Sequence, residues 1–204
     1  MLMNILITGS SGLIGTALTA SLQSQGHAVV GLRRGMRGES RPFWDPENGV
    51  VELAAEKPPD AVIHLAGESI TKGRWNQRKK TRILDSRVRG TTLLAGYFAA
   101  STAKPRVFIS ASAVGIYGDR GNESVDENSP PGTGFLATVC RQWEAALGAA
   151  EDAGIRVVAI RLGVVLSPKG GVLGTILPPF RVGLGGTLGS GEQGMSWVTL
   201  DDVT

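Results

Sequence analysis

Thr8-Gly9-Ser10-Ser11-Gly12-Leu13-Ile14-Gly15 is the stretch on which the fold turns. It follows the apolar run Asn4-Ile5-Leu6-Ile7 and leads into Leu13 to Gln25, where Leu13, Ala17, Leu18 and Leu22 share one helical face. Each glycine between this strand and this helix has its own task. Gly9 permits a tight turn, Gly12 lets the backbone approach a pyrophosphate, and Gly15 lets the helix pack on the strand, with helix N–H groups facing the phosphates. Gly26 closes the helix, and Ala28-Val29-Val30-Gly31-Leu32 reads as a second buried strand. The unit is strand, helix, strand over about 30 residues, with a right-handed crossover.

The turn therefore supplies a first set of candidate cofactor-binding residues: Thr8, Gly9, Ser11, Gly12, Leu13, Ile14 and Gly15. The end of the second strand selects the cofactor. A site for NAD normally places an acidic residue there to accept hydrogen bonds from the ribose 2′-hydroxyl, whereas this chain has Arg33 and Arg34. A guanidinium cannot accept those bonds but pairs well with a 2′-phosphate, so the expected cofactor is NADP.

The same alternation continues along the chain. Ala61-Val62-Ile63-His64-Leu65-Ala66 is an apolar strand, and a helix is expected from about Trp75 to Ala100 with Ile83, Val88 and Leu94 inward. Val107-Phe108-Ile109-Ser110 is a strand. Phe135 to Ala153 reads as a helix with Phe135, Val139, Trp143 and Leu147 in a stripe, and Val157-Val158-Ala159-Ile160 as another strand. The stretch from Arg33 to Pro59, rich in Gly, Pro and charge, is expected to connect rather than build core, apart from a short strand near Val50-Val51-Glu52-Leu53. Strands alternating with helices imply an α/β fold, a Rossmann-type doubly wound parallel sheet. Glycine is dense from Ser167 to Gly194, and Trp197 to Thr204 is an apolar run leading into what looks like the start of a helix. The expected organisation is a nucleotide-binding domain over 1–166 and the start of a smaller substrate-side region over 167–204, continuing beyond Thr204.

Composition narrows the class. The 204 residues are 42% hydrophobic, enough for one sizeable core. No apolar run approaches the ~20 residues of a membrane-spanning helix. Cys140 is the single cysteine, so no internal disulfide forms, and Met1 leads directly into a strand without a basic, cleavable start. A cytoplasmic protein that binds neither membrane nor nucleic acid is expected, since 21 Lys+Arg against 18 Asp+Glu leave a net charge of only +3. Arg33, Arg34, Arg37 and Arg41 form one basic group. Lys72, Arg74, Arg78, Lys79, Lys80, Arg82, Arg87 and Arg89 form a second, which reads as a solvated face.

Thr8-Gly9-x-x-Gly12-x-x-Gly15, His64-Leu65-Ala66-Gly67, and Ser110-Ala111-Ser112 followed by Tyr117-Gly118 together resemble the extended short-chain dehydrogenase/reductases, which include sugar-nucleotide epimerases and dehydratases. Leu65-Ala66-Gly67-Glu68, Arg74-Trp75, Ser86-Arg87, Arg161-Leu162-Gly163-Val164-Val165-Leu166 and Leu184-Gly185-Gly186-x-Leu188-Gly189-Ser190-Gly191 look like the atypical branch called epimerase family protein or SulA-like. The resemblance covers essentially the whole chain. It implies about seven strands with a dinucleotide across their C-terminal edge. It further implies that Leu65, Ala66 and Gly67 line the adenine-ribose side and that the backbone near Gly163 and Val164 approaches the nicotinamide. Two positions depart from the pattern: Val164 stands where extended members often have Asn, and Thr199 where many relatives have His.

Active relatives carry a Tyr and, four residues on, a Lys, which share a helix face and move a proton with a Ser or Thr beside them. Here Tyr97 is followed by Ser101 and Tyr117 by Gly121, and the helix that would carry the pair reads Phe135-Leu136-Ala137-Thr138-Val139-Cys140-Arg141. Ser112 stands at the place of the hydroxyl partner and Tyr117 is a candidate substitute acid, so these two are the catalytic candidates, each with a structural role as the plain alternative. His64 reads as a structural hydrogen-bonder and Cys140 as core, and no metal cluster is expected from two histidines and one cysteine. Arg74, Lys80 and Arg87 are candidate contacts to a small anionic or nucleotide-linked substrate, and Arg87 is also a candidate cofactor contact. Two functions fit: an NADP(H)-dependent epimerase/dehydratase-like oxidoreductase, or a cofactor-binding protein without turnover that serves a division or regulatory role.

Overall fold

A computed structural model describes residues 1–35, 42–53, 57–187 and 189–204. Seven strands form one sheet in the order β4-β3-β2-β1-β5-β6-β7, where β1 is Asn4–Thr8, β2 Ala28–Arg34, β3 Phe43–Asp45, β4 Val50–Glu52, β5 Ala61–His64, β6 Val107–Ala113 and β7 Arg156–Leu162. Every pairing is parallel except β3 with β4. The order reverses around β1, with β2 on one side and β5 on the other. In open α/β sheets a ligand crevice opens at such a switch point, beyond the carboxyl ends of the strands.

The alternation of side chains along β1 separates two cores. Ile5 and Ile7 pack with Ile63 against Leu18 and Leu22 of α1, Leu13–Ser24. Leu6, on the opposite face, joins Leu32, Val62 and Phe108 against Leu94, Ala95 and Phe98 of α2, Gln77–Ala100. The sheet is thus covered on both faces, which is the doubly wound arrangement. Asn76 caps α2, its side chain accepting from the Lys79 N–H at 2.9 Å. Ile83 and Leu94 are buried and Val88 is half-buried.

Three features depart from the sequence reading. The stretch from Arg33 to Pro59 does build core, because Phe43 and Trp44 are each 1% exposed and β3 and β4 extend the sheet. Three-residue strands among glycines and charges leave no period to detect. The helix expected over Phe135 to Ala153 is broken into α3, Phe135–Ala145, and α4, Gly148–Asp152, with Val139, Trp143 and Leu147 still buried. Finally, the second basic group is not wholly a solvated face. Lys79 is 3% exposed and its Nζ lies 2.7 Å from Glu68 Oε1.

A 3₁₀ turn, Val114–Tyr117, follows β6. Beyond β7, the strands β8, Val164–Leu166, and β9, Trp197–Thr199, form a separate parallel pair. Between them lies α5, Gly171–Arg181, and after them α6, Leu200–Val203, capped by the Thr199 hydroxyl, which accepts from the Asp202 N–H. No helix among the described residues is long and apolar enough to cross a membrane.

Candidate functional site

The glycine turn is held from beneath. The Thr8 hydroxyl, fully buried, lies 2.6 Å from His64 Nδ1 and accepts a hydrogen bond from the Ala66 N–H at 3.3 Å, which ties the ends of β1 and β5 together. Gly9 has φ +71, and a β-carbon on it would come within 2.9 Å of the Ala66 nitrogen. A β-carbon on Gly15 would overlap the Gly9 carbonyl, so only glycine permits this approach of helix to turn. His64 is buried between Trp44 and Phe108. Burial, then the charges of Arg87 and Arg34, hold its pKa down to about 3. It is a neutral structural group, in keeping with its sequence reading.

A cleft of about 520 Å³ opens above the turn. Gly9, Gly12, Leu13, Ile14 and Gly15 line one wall, Leu65 and Arg87 another, and Gly163 and Val164 the far end. The candidate cofactor residues so gathered come from β1, α1, β5, α2 and the β7–β8 junction. Ala66 is half-buried, and Gly67 is exposed against Arg87, whose Cζ would lie 3.3 Å from an added β-carbon. Ser11 is exposed and outside the lining. The Val164 N–H donates to the Ser196 carbonyl at 2.8 Å, so it is already engaged.

Arg33 and Arg34 are exposed at the end of β2, and the Arg34 guanidinium sits 6.0 Å over the Trp44 ring. Arg34 also lines a neighbouring hollow of about 500 Å³, shared with Glu68, Arg82 and Ser86. Arg37 and Arg41 lie outside the described residues. Of the candidate substrate cations, Arg87 lines the cleft whereas Arg74 and Lys80 do not. Arg74 is exposed, and Lys80 Nζ lies 5.4 Å from the Phe135 ring.

The face of α3 that meets the cleft carries Leu136, Val139, Cys140 and Trp143. Leu136 and Cys140 are four apart, the spacing of the proton-relay pair, and both are apolar. Burial pushes the Cys140 thiol up, which keeps it protonated. Along β6, Ala111 and Ala113 line the cleft and Ser112 does not. The Ser112 side chain alternates away and donates to Glu144 Oε1 at 2.6 Å. Glu144 also receives Arg161 through Nε at 3.0 Å and Nη2 at 2.9 Å, and Arg161 Nη1 donates to the Tyr117 phenol oxygen at 2.9 Å. Burial alone would raise the Glu144 pKa, but the bonds from Arg161 and Ser112 outweigh it and hold it low. The carboxylate in turn raises that of Arg161. The structure therefore joins Ser112 and Tyr117 in one network, on a groove of about 1440 Å³ lined by Tyr117 and Arg161. Groove and cleft meet at Val114 and Gly115, which line both.

Sequence reasoning missed Glu144, Arg161 and Trp143 as site residues. Glu144 follows the core stripe by one residue and Arg161 sits on a strand 17 residues on, so only the packing of helix on sheet brings them together.

The family profile described as NAD dependent epimerase/dehydratase family matches residues 5–204. The chain belongs to this family. An epimerase family protein of Mycobacterium bovis is 46% identical over 199 residues, covering 97% of this chain and 65% of the relative, so the chain spans about two thirds of the length of such relatives. The human epimerase family protein SDR39U1, whose structure was determined with NADPH, superposes with a TM-score of 0.85 at 37% identity, over 98% of this chain and 67% of that one. A nucleoside-diphosphate sugar epimerase from Corynebacterium glutamicum gives 0.82 at 43% identity, over 100% of this chain and 42% of that one. Within this epimerase/dehydratase family, the apolar α3 face at the cleft sets the present chain apart from members with a Tyr–Lys pair.

Proposed function

We propose that this protein binds NADP(H) in the cleft and acts as an epimerase/dehydratase-like oxidoreductase on a small substrate seated in the adjoining groove. The observation that carries this reading is the continuity of one cleft from the glycine turn to Gly163 and Val164, with Arg33 and Arg34 at the end of β2 where an NAD site has an acid. The turn amides and α1 hold the phosphates, Leu65, Ala66 and Gly67 the adenine side, and the far wall the nicotinamide. The cofactor supplies the hydride chemistry when bound. The solved human relative with NADPH supports the choice of cofactor.

Any proton must then come from outside the cleft walls. Tyr117 is the candidate donor, its phenol fixed by Arg161, and Ser112 is a positioning residue that acts on Tyr117 through Glu144 and Arg161. Residues 167–204 begin the substrate side of the groove, through Ser190 to Ser196.

One observation favours a second reading, a cofactor-holding protein without turnover: Leu136, Cys140 and Ala113 put no acid or base at the cleft. Fluorescence titration with NADPH, paired with an NADPH-oxidation assay over aldehydes, ketones and sugar nucleotides, separates the two. Binding with slow turnover supports the first, binding with none the second, and absence of binding removes both.

A further inference from the structure

Among the described residues, Arg87 is the one charged side chain lining the cleft, and it pairs with no carboxylate. Its pose is fixed. Nη1 donates to the Glu68 and Ile83 carbonyls, each at 3.1 Å, and Cζ lies 5.0 Å over the Trp143 ring. Gly67 leaves room for the guanidinium, whose Nε and Nη2 have no acceptor among the described residues. The nearby Glu68 carboxylate is already taken by Lys79 at 2.7 Å and Arg82 at 3.5 Å. Burial pushes the Arg87 pKa down, so the fold holds a cation in a partly apolar cleft at a cost and without a counter-charge.

The facing wall has the complementary lack. No side chain caps α1, whose N-cap is Gly12, and no acidic residue stands in its first turn. Its open amides and helix dipole favour an anion, and a guanidinium across the same cleft favours a phosphate above other anions.

We propose that Arg87 is the counter-ion of the cofactor pyrophosphate, clamping it against the N-terminal amides of α1 and setting the affinity for NADPH and NADH alike. This rests on the reading of the cleft as a dinucleotide site. It assigns separate tasks to the arginines: Arg33 and Arg34 distinguish the two cofactors, whereas Arg87 grips what they share. Arg87 also supplies, from α2, the cofactor-holding charge that α3 lacks in the absence of a lysine.

The test is titration calorimetry with NADPH and with NADH on the wild-type chain, Arg87→Gln and Arg87→Lys, with melting curves of each protein without cofactor. Arg87→Gln should weaken both cofactors by about tenfold or more with their ratio unchanged, the size expected for a charge-assisted phosphate contact. Arg87→Lys should weaken both by a smaller factor, because it keeps the charge and loses the fork. The melting temperature without cofactor should hold, since the lost contacts are offset by relief of an uncompensated cation. Unchanged affinity in either folded variant, or a loss confined to NADPH, overturns the proposal. Should Arg87→Gln fail to fold, the Arg87→Lys result decides by the same criteria. Failure of the wild-type chain to bind either cofactor would instead overturn the dinucleotide reading beneath it.

Discussion

Ser112 Oγ donates to Glu144 Oε1 at 2.6 Å, and the same carboxylate oxygen takes Arg161 Nε at 3.0 Å. The strand-end hydroxyl therefore belongs to an ion-pair network rather than to the cleft wall. Ser112→Ala should destabilise the fold by about 1–3 kcal/mol, the range for a buried hydrogen bond to a charged group, and leave NADPH affinity unchanged. Urea unfolding and a cofactor titration on the same preparation check both halves. A clear loss of NADPH affinity at full stability would place Ser112 at the cofactor after all.

Turnover should be low. A positioned acid–base pair contributes roughly 100- to 10,000-fold, and the cleft face of α3 offers Leu136 and Cys140 in its place. Whatever NADPH oxidation is measured should fall in Tyr117→Phe, which removes the phenol that Arg161 holds at 2.9 Å, with cofactor affinity unaltered. Activity insensitive to this change would take Tyr117 out of the chemistry.

Stability should decline in mild acid. His64 is buried neutral with its pKa held to about 3, first by burial and then by Arg87 and Arg34, whereas an imidazole in the unfolded chain titrates near about 6.5. Between those values the unfolded chain takes up a proton that the folded chain excludes. The neutral-state stability is thus fully present above about pH 6.5 and falls as pH drops, with a limiting slope of about 1.4 kcal/mol per pH unit. Urea midpoints from about pH 7.5 to about pH 5 should show a shallower slope in His64→Gln than in wild type. Equal slopes would mean that another group carries the acid sensitivity.

The glycine turn, its flanking strand and helix, and the apolar runs of β5, β6 and β7 were legible because their period or continuity survives in a single sequence. Phe43 and Trp44 were not, because their strand is too short to show alternation, and their burial depends on β2 and β4 flanking them. The break between α3 and α4 was hidden by a stripe that runs through it, with Val139, Trp143 and Leu147 all buried. The direction of Ser112 depended on strand register. Ala111 and Ala113 take the cleft face, so the serine between them cannot, and a motif match one residue out of phase reverses the side. The anchor of Tyr117 was out of reach for the reason that hid Glu144 and Arg161: a bond between a helix and a strand leaves no local mark.

The central claim is that the cleft holds NADP(H) and that Arg33 and Arg34 select it. Titration calorimetry of NADPH and NADH against the wild-type chain and the double variant Arg33→Ala, Arg34→Ala tests this most directly. Tighter binding of NADPH by wild type, with the preference reduced about tenfold or more in the double variant and NADH affinity unchanged, is the predicted result. Equal affinities in the wild-type chain, or a preference that survives loss of both arginines, would contradict it.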